Sequence, residues 1–413
     1  MKTVVISAVN LNVGGTLTIL RDCLQYLSTL AETGNYRMVA LVYRKELAFF
    51  QNIEYIEMQW PKRNWINRLW CEYVTMRKIS VKLSPVYLWL SLHDSTPNVL
   101  AEKRAVYCHN PFPYYKWKMR EWLFTPKIVL FSLFSNNVYR KNIHQNNYVI
   151  VQQEWMRQKF VQLFGLKTQN IVVAPPPPPP PPLPSPSRHC GLDPQSPPPS
   201  RHCGLDPQSP PPPRHCGLDL QSPDNRTLTG FQTLLGLGNY SFIFASSANS
   251  HKNFECICQA STILKEKFGI EDFNVYLTVK GDENMYARWL FRNWGKNPNL
   301  NFLGFLDRKT LYDYYQKSQC LIFPSKAETW GLPITEFAAF RKPMLLADLP
   351  YARESAGGCS NVAFFDPDDP AVLAEKMRLL AQGDDSFLTT VEKNDIPAPV
   401  ARSWQELFDI LLT

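Results

Sequence analysis

At 413 residues the chain is long enough for two domains with complete cores, and its 45% hydrophobic and 13% aromatic content excludes general disorder. A net charge of +8 suits a phosphate-bearing ligand or an anionic membrane surface, but is too small to argue for nucleic acid. No apolar stretch approaches the roughly eighteen residues of a membrane span. Ten cysteines, several inside apolar patterns, read as buried or free thiols of a reducing compartment, so a cytosolic protein is expected.

Residues 3–9 are rich in β-branched side chains and predict a strand; they run straight into a polar glycine loop, Asn10 to Gly15, and so do not read as a signal peptide. Thr16 to Leu30 predicts a helix. Strand, glycine turn and helix together open a doubly wound α/β domain. Gly14-Gly15 is not the G-x-G-x-x-G fingerprint, and alone it fits a plain tight turn as well as a phosphate loop. Arg37 to Val42 predicts a second strand. Between Trp60 and Lys78 aromatic and basic residues interleave on a predicted helix, and a second such run covers Tyr114 to Trp122. Aromatic bodies with basic tips suit the headgroup level of a bilayer; equally, the rings pack inward and the basic residues are ordinary surface. Ala105 to Cys108 reads as a strand that ends in His109 before the Asn110-Pro111 turn, where parallel strands face a ligand crevice. Strand Tyr148–Gln152, helix Glu154–Phe164 and strand Asn170–Ala174 complete this half.

Eight prolines, Pro175 to Pro182, then lead into a repeat that begins at Arg188, Arg201 and Arg214. Near-identical copies without apolar periodicity cannot bury a core, and proline runs are stiff spacers, so residues 175–223 are expected to be a disordered insertion. The pairs His189-Cys190, His202-Cys203 and His215-Cys216 match no zinc spacing, and no metal site is expected.

Tyr240 to Ala245 opens the second half as a strand, followed by a turn with Ser247, Lys252 and Asn253 before a helix; a cation at such a turn can neutralise a diphosphate. Val275 to Asp282 and Leu300 to Gly304 are further strands with their turns, and Leu311 to Gln319 a helix. Cys320 to Phe323 is an apolar strand that breaks at Pro324-Ser325. A loop carrying Glu328 and Gly331 follows, and a helix opens around Pro333. Unpaired N–H groups at that helix start suit a phosphate near Gly331-Leu332. Glu336, about one turn further in, can accept hydrogen bonds from sugar hydroxyls. Ala371 to Ala381 and Val400 to Leu412 are the last predicted helices.

The text Pro324-Ser325-Lys-Ala-Glu328-Thr-Trp-Gly331-Leu332-Pro333-Ile-Thr-Glu336 resembles the E-x7-E signature of retaining GT-B glycosyltransferases, the family-4-like glycosyl transferases group 1. The likeness continues through Arg341-Lys-Pro343, Asp348-Leu-Pro350, Glu354, Ala356-Gly357 and Phe364-Phe365-Asp366-Pro367. It implies an α/β GT-B fold, two Rossmann-like doubly wound domains facing a central cleft. Residues 1–174 would form the acceptor domain and 224–395 the nucleotide-sugar domain. Residues 396–413 would be a helix returning onto the first, anchored by Trp404 and Phe408. The implied reaction moves a sugar from a nucleotide diphosphate sugar to an acceptor hydroxyl with retention, in surface polysaccharide or lipopolysaccharide synthesis. It needs no metal and no cofactor beyond that co-substrate.

By the same resemblance, Glu328, His109 and Lys252 are the catalytic candidates. Gly14, Gly15, Ser247, Lys252, Gly331, Leu332 and Glu336 bind the donor, with Ser247 standing where the family often has Arg. The base would lie near Phe305 to Asp307. The implied partners are the donor and a saccharide or lipid-linked acceptor, with peripheral contact to the inner membrane face and none to nucleic acid. Two alternatives stay open: a nucleotide-sugar-binding protein inactivated by the hinge insertion, or another GT-B enzyme such as a nucleotide-sugar epimerase.

Overall fold

Short apolar runs bounded by polar turns give thirteen strands in the computed structural model, which describes residues 1–12, 14–176 and 239–413. The first half supplies β1 (Lys2–Ala8), β2 (Tyr36–Val42), β3 (Ile53–Glu57), β4 (Val86–Ser91), β5 (Lys103–Cys108), β6 (Tyr148–Val151) and β7 (Ile171–Val173). The second supplies β8 (Tyr240–Phe244), β9 (Phe273–Leu277), β10 (Leu300–Phe302), β11 (Cys320–Phe323), β12 (Met344–Ala347) and β13 (Val362–Phe365). All neighbouring strands pair in parallel. The central strands are continuously buried because helices cover both faces, which explains why they read as unbroken apolar runs.

The sheet orders are β3-β2-β1-β4-β5-β6-β7 and β10-β9-β8-β11-β12-β13. In each, the strand order reverses at one place: between β1 and β4, and between β8 and β11. Loops leaving the carboxyl ends of strands at such a switch point border the crevice in which doubly wound sheets bind ligands. The chain is thus α/β, with two Rossmann-like domains.

The C-terminus returns to the first sheet. The Val173 N–H donates to the Pro399 carbonyl at 3.1 Å and the Ala401 N–H to the Val173 carbonyl at 2.9 Å, and helix Trp404–Leu412 buries Leu407, Phe408 and Leu411 in the first core. Phe408 stacks on Tyr26 at 5.6 Å and Trp404 on Tyr107 at 6.2 Å. This helix starts at Trp404, capped by Ser403, because Val400 is used in a parallel bridge to Val173 of β7.

The aromatic and basic stretch from Trp60 to Lys78 is broken where the sequence predicts one helix. A 3-10 turn, Trp60–Arg63, precedes helix Trp65–Trp70, whose Asn64 cap accepts the Asn67 N–H at 2.8 Å; a π-helical turn, Cys71–Thr75, then leads into helix Met76–Lys82. The wider turn puts two successive side chains, Cys71 and Glu72, inside.

The run from Tyr114 to Trp122 faces the other domain. Tyr115 and Glu121 are buried, Arg120 Nη2 meets Glu255 Oε1 at 2.6 Å, and Lys118 Nζ meets Asp368 Oδ1 at 2.8 Å. A second contact lies at the start of helix Glu154–Phe164. There the Glu354 carboxylate of the second domain accepts the N–H groups of Glu154 and Trp155 at 2.6 and 3.1 Å. Gln153 donates to Ser355 Oγ at 2.8 Å beside it.

The expected insertion at 175–223, with its His-Cys pairs, lies outside the described residues except for Pro175 and Pro176. Among the described residues the seven cysteines are all free, and six are buried.

Candidate functional site

At the switch point of the second sheet, the loops after β8 and β11 are tied together. The His251 carbonyl accepts the Lys326 N–H at 2.8 Å, and Asn253, held at a left-handed φ of 62°, donates from Nδ2 to Pro324 O at 3.2 Å and Pro367 O at 2.7 Å. This lacing brings the Lys252 ammonium onto the Glu328 carboxylate, with side chains 15% and 14% exposed. Ser247, on the same loop as Lys252, is exposed, and its hydroxyl accepts from Asn249 Nδ2 at 2.9 Å.

Gly331 opens helix Leu332–Ala338 at φ +79°, and a Cβ there would sit 3.2 Å from Ile334 Cδ1 and 3.3 Å from Phe323 Cε1. Both the backbone conformation and the packing therefore call for glycine. Leu332 is exposed at the helix start, while Glu336 turns inward. Burial raises the Glu336 carboxyl above its usual range; Arg308, 3.9 Å away at Nη2, and Tyr315 pull in the opposite direction. His251 is pushed well below the ordinary histidine range by burial and then by the neighbouring Lys252 charge.

The switch point of the first sheet carries Gly14 and Gly15 after β1. A Cβ added at either would meet nothing within 4 Å, and Gly14 alone needs its positive φ of 62°. The loop after β4 holds His93 and Asp94, two residues that the sequence reading passed over. Asp94 Oδ1 accepts the His109 N–H at 2.7 Å, and Oδ2 lies 3.5 Å from His109 Nε2, so one carboxylate orients both the backbone and the ring. Arg68 donates to Glu72 Oε1 at 3.0 Å and to the His93 carbonyl at 3.2 Å, while His93 Nδ1 is 3.5 Å from the same Glu72 oxygen. Burial brings the His93 ring down to about 4. His93 Nε2 and His109 Nδ1 are buried without hydrogen-bond partners.

The structure therefore brings Lys252 and Glu328 into contact, with Ser247, Gly331, Leu332 and Glu336 on the same two loops and the helix that follows. His109 joins them indirectly: the Phe112 ring, three residues on, lies edge-on to His251 at 5.1 Å, next to Lys252. Gly14 and Gly15 stand at the switch point of the other sheet. Arg68, Glu72, His93 and Asp94 were not legible as a group. The available signal was the polar pair His93-Asp94 directly after a strand.

Comparison with known proteins bears on the family and the fold. Residues 226–394 match the family described as Glycosyl transferases group 1. The serotype-specific mannosyltransferase WbdA of Escherichia coli is 26% identical over 143 residues, which cover 34% of this chain and only 16% of the length of WbdA. Among solved structures, a glycosyltransferase from Rickettsia africae superposes with a TM-score of 0.54 at 15% identity, covering 93% of this chain and 92% of that one. WaaG, a glycosyltransferase involved in lipopolysaccharide biosynthesis, gives 0.53 at 13% identity over 99% of both chains. Anabaena HepE in complex with UDP and glucose gives 0.51 at 12% identity over 94% of both. The chain is thus similar, over residues 226–394, to glycosyl transferases group 1, and its two Rossmann-like domains have the GT-B fold.

Proposed function

We propose that the protein is a retaining glycosyltransferase that moves a hexosyl group from a nucleotide diphosphate sugar to an acceptor hydroxyl. The observation that carries the reading is the Lys252–Glu328 pair at the switch point of the second sheet, with Glu336 held inward on the adjoining helix. A diphosphate competes with Glu328 for the Lys252 ammonium. Once it does so, the freed Glu328 carboxylate accepts hydrogen bonds from the sugar while Lys252 neutralises the leaving group. Glu336 accepts the ribose hydroxyls, and N–H groups at Gly331-Leu332 add to the phosphate contacts. The leaving phosphate takes the acceptor's proton on the same face, so no protein nucleophile is needed. With a protein cation in place the reaction runs without a metal, and chelators leave it unchanged. His109, oriented by Asp94, contacts the transferred sugar from the first domain.

The resemblance to the family and the likeness to a serotype-specific mannosyltransferase support an acceptor that belongs to a surface polysaccharide or lipopolysaccharide, taken up at the inner side of the membrane. Among the described residues, no helix is long and apolar enough to cross a membrane.

The test is a thermal-shift screen with UDP-, GDP- and ADP-sugars on the wild type and on Glu336→Ala. A ligand that binds only the folded state raises its melting temperature. The reading expects one nucleotide class to raise Tm, the variant to lose that shift, and sugar transfer to follow with the same donor class. No shift with any nucleotide sugar would overturn it.

A further inference from the structure

Asp94 occupies a backbone state that few side chains adopt. It sits in the turn after β4 at φ 63°, in the left-handed region, where glycine or asparagine serves the backbone as well as aspartate does. The turn is pinned from three directions. The Asp94 N–H donates to the Tyr107 carbonyl of β5 at 3.2 Å, Ser91 Oγ donates to the Ser95 carbonyl at 2.9 Å, and Arg68 donates to the His93 carbonyl at 3.2 Å. The carboxylate is thereby delivered to one place, against His109, whose N–H it accepts through Oδ1.

The second carboxylate oxygen bears on a proton. Oδ2 lies 3.5 Å from His109 Nε2, long for a hydrogen bond but close enough that a bare nitrogen lone pair would face a carboxylate charge. A neutral ring avoids that repulsion by carrying its hydrogen on Nε2, which leaves Nδ1 as a lone pair. Nδ1 is buried and has no partner. A buried acceptor without a donor is costly, which makes it a candidate for a ligand's O–H. His93 repeats the pairing further in, with Nδ1 3.5 Å from Glu72 and Nε2 bare, but its side chain is 2% exposed against 10% for His109. Of the two rings, His109 is the one that borders the crevice.

We infer that Asp94 is a positioning residue that fixes the His109 tautomer, and that the first switch point thereby selects a neutral sugar presenting an O–H to Nδ1 over an anionic sugar such as a uronate. The selection rests on the transferase reading, whereas the tautomer rests on geometry alone. A hydroxyl points its hydrogen at Nδ1 and keeps its oxygen free for other donors. A carboxylate has no hydrogen to give, and it meets a lone pair with the Asp94 charge behind it. Asparagine at this position suits the same φ and still accepts the His109 N–H through Oδ1. Its amide hydrogens then face Nε2, which draws the lone pair there and moves the ring hydrogen to Nδ1, the form that holds a carboxylate.

Two readouts on the full-length protein test this. With isotope-labelled histidine, two-bond proton–nitrogen spectra show which ring nitrogen carries the hydrogen, and His109→Gln assigns the signal. The wild type is expected to carry it on Nε2, Asp94→Asn on Nδ1, and Asp94→Gly on a mixture of the two; unchanged unliganded melting temperatures verify that both variants fold. A wild-type ring with hydrogen on Nδ1 or on both nitrogens, or an Asp94→Asn ring like the wild type, overturns the inference. Thermal shift then compares UDP-glucose, GDP-mannose and ADP-glucose with the matching uronates and with the free nucleoside diphosphates. In the wild type the neutral sugar should bind at least about tenfold more tightly than its uronate, and Asp94→Asn should bring the two within about twofold. Equal shifts from both sugars in the wild type, or an undiminished preference in Asp94→Asn, overturn the selection. If no nucleotide shifts Tm, the transferase reading falls and the selection with it, while the spectra still decide the role of Asp94.

Discussion

The two switch points are alike in topology and opposite in how they treat charge. At the first sheet, Arg68, Glu72 and His93 answer one another behind the crevice, and Asp94 answers His109. At the second, Lys252 is matched with Glu328 and Lys326 with Asp368, while Glu336 is held inward with Arg308 as a distant partner. Mutually satisfied buried charges sustain a fold, whereas a carboxylate held against burial beside an exposed loop is a candidate for ligand binding. On the proposed function, the first cluster holds the protein together and the second binds the donor.

The largest effect should come from breaking the first cluster. Glu72→Ala leaves Arg68 without its carboxylate, and urea unfolding should show a loss of roughly 3–5 kcal/mol. A loss below about 1 kcal/mol would mean that the cluster is not structural. At the second switch point the contrast should reverse: Lys252→Ala should reduce turnover on the order of a hundredfold, about 2.7 kcal/mol of barrier, with a small change in melting temperature. If it lost stability and kept turnover, the comparison would be inverted.

Acid titration probes both regions at once. His93 and His251 have folded values depressed below the unfolded value near 6.5, to about 4 for His93, so the unfolded chain binds more protons between these limits. Stability is therefore full above about pH 6.5 and falls as the pH drops toward 4, by roughly 2–3 kcal/mol from His93 alone. His93→Gln should flatten much of that slope in a melting-temperature profile.

Glu354→Ala should cost about 1–2 kcal/mol. It removes an N-cap that the second domain lends to helix Glu154–Phe164, and differential scanning calorimetry should show the two domains uncoupling. The smallest effect on stability belongs to Glu336→Gln. Because burial raises the Glu336 carboxyl, the stability it gives is present below the ordinary Glu range and is lost as the pH rises through its folded value. Its amide variant should be as stable as the wild type at pH 7, or slightly more so, while losing the donor-induced shift in Tm.

The second switch point was legible because its parts are local. Strand β11, the Pro324-Ser325 break, Glu328, Gly331 and Glu336 follow one another in the text, and periodicity shows where each falls. The first was not. Arg68 and Glu72 lie on one broken helix, His93 and Asp94 on a later loop and His109 at the end of β5, and nothing in their spacing announces that they meet. The π-helical turn at Cys71–Thr75, which brings Glu72 inside, leaves no mark on the aromatic and basic pattern that predicted a single helix.

By itself the sequence determined the two α/β halves, the strands whose ends carry the candidate site residues and the glycosyl transferases group 1 likeness, because each rests on short-range periodicity and contiguous text. The tertiary structure alone decided the fate of two similar aromatic and basic runs. Tyr114–Trp122 buries Tyr115 and Glu121 and is tied to the second domain, which offers Glu255 and Asp368 as partners for Arg120 and Lys118. Trp65–Trp70 rests its Trp65 ring on Phe131 and otherwise stays open, with Ile66 and Trp70 exposed. Which face of a helix is buried depends on what stands opposite, and that is set by chain folded from more than a hundred residues away.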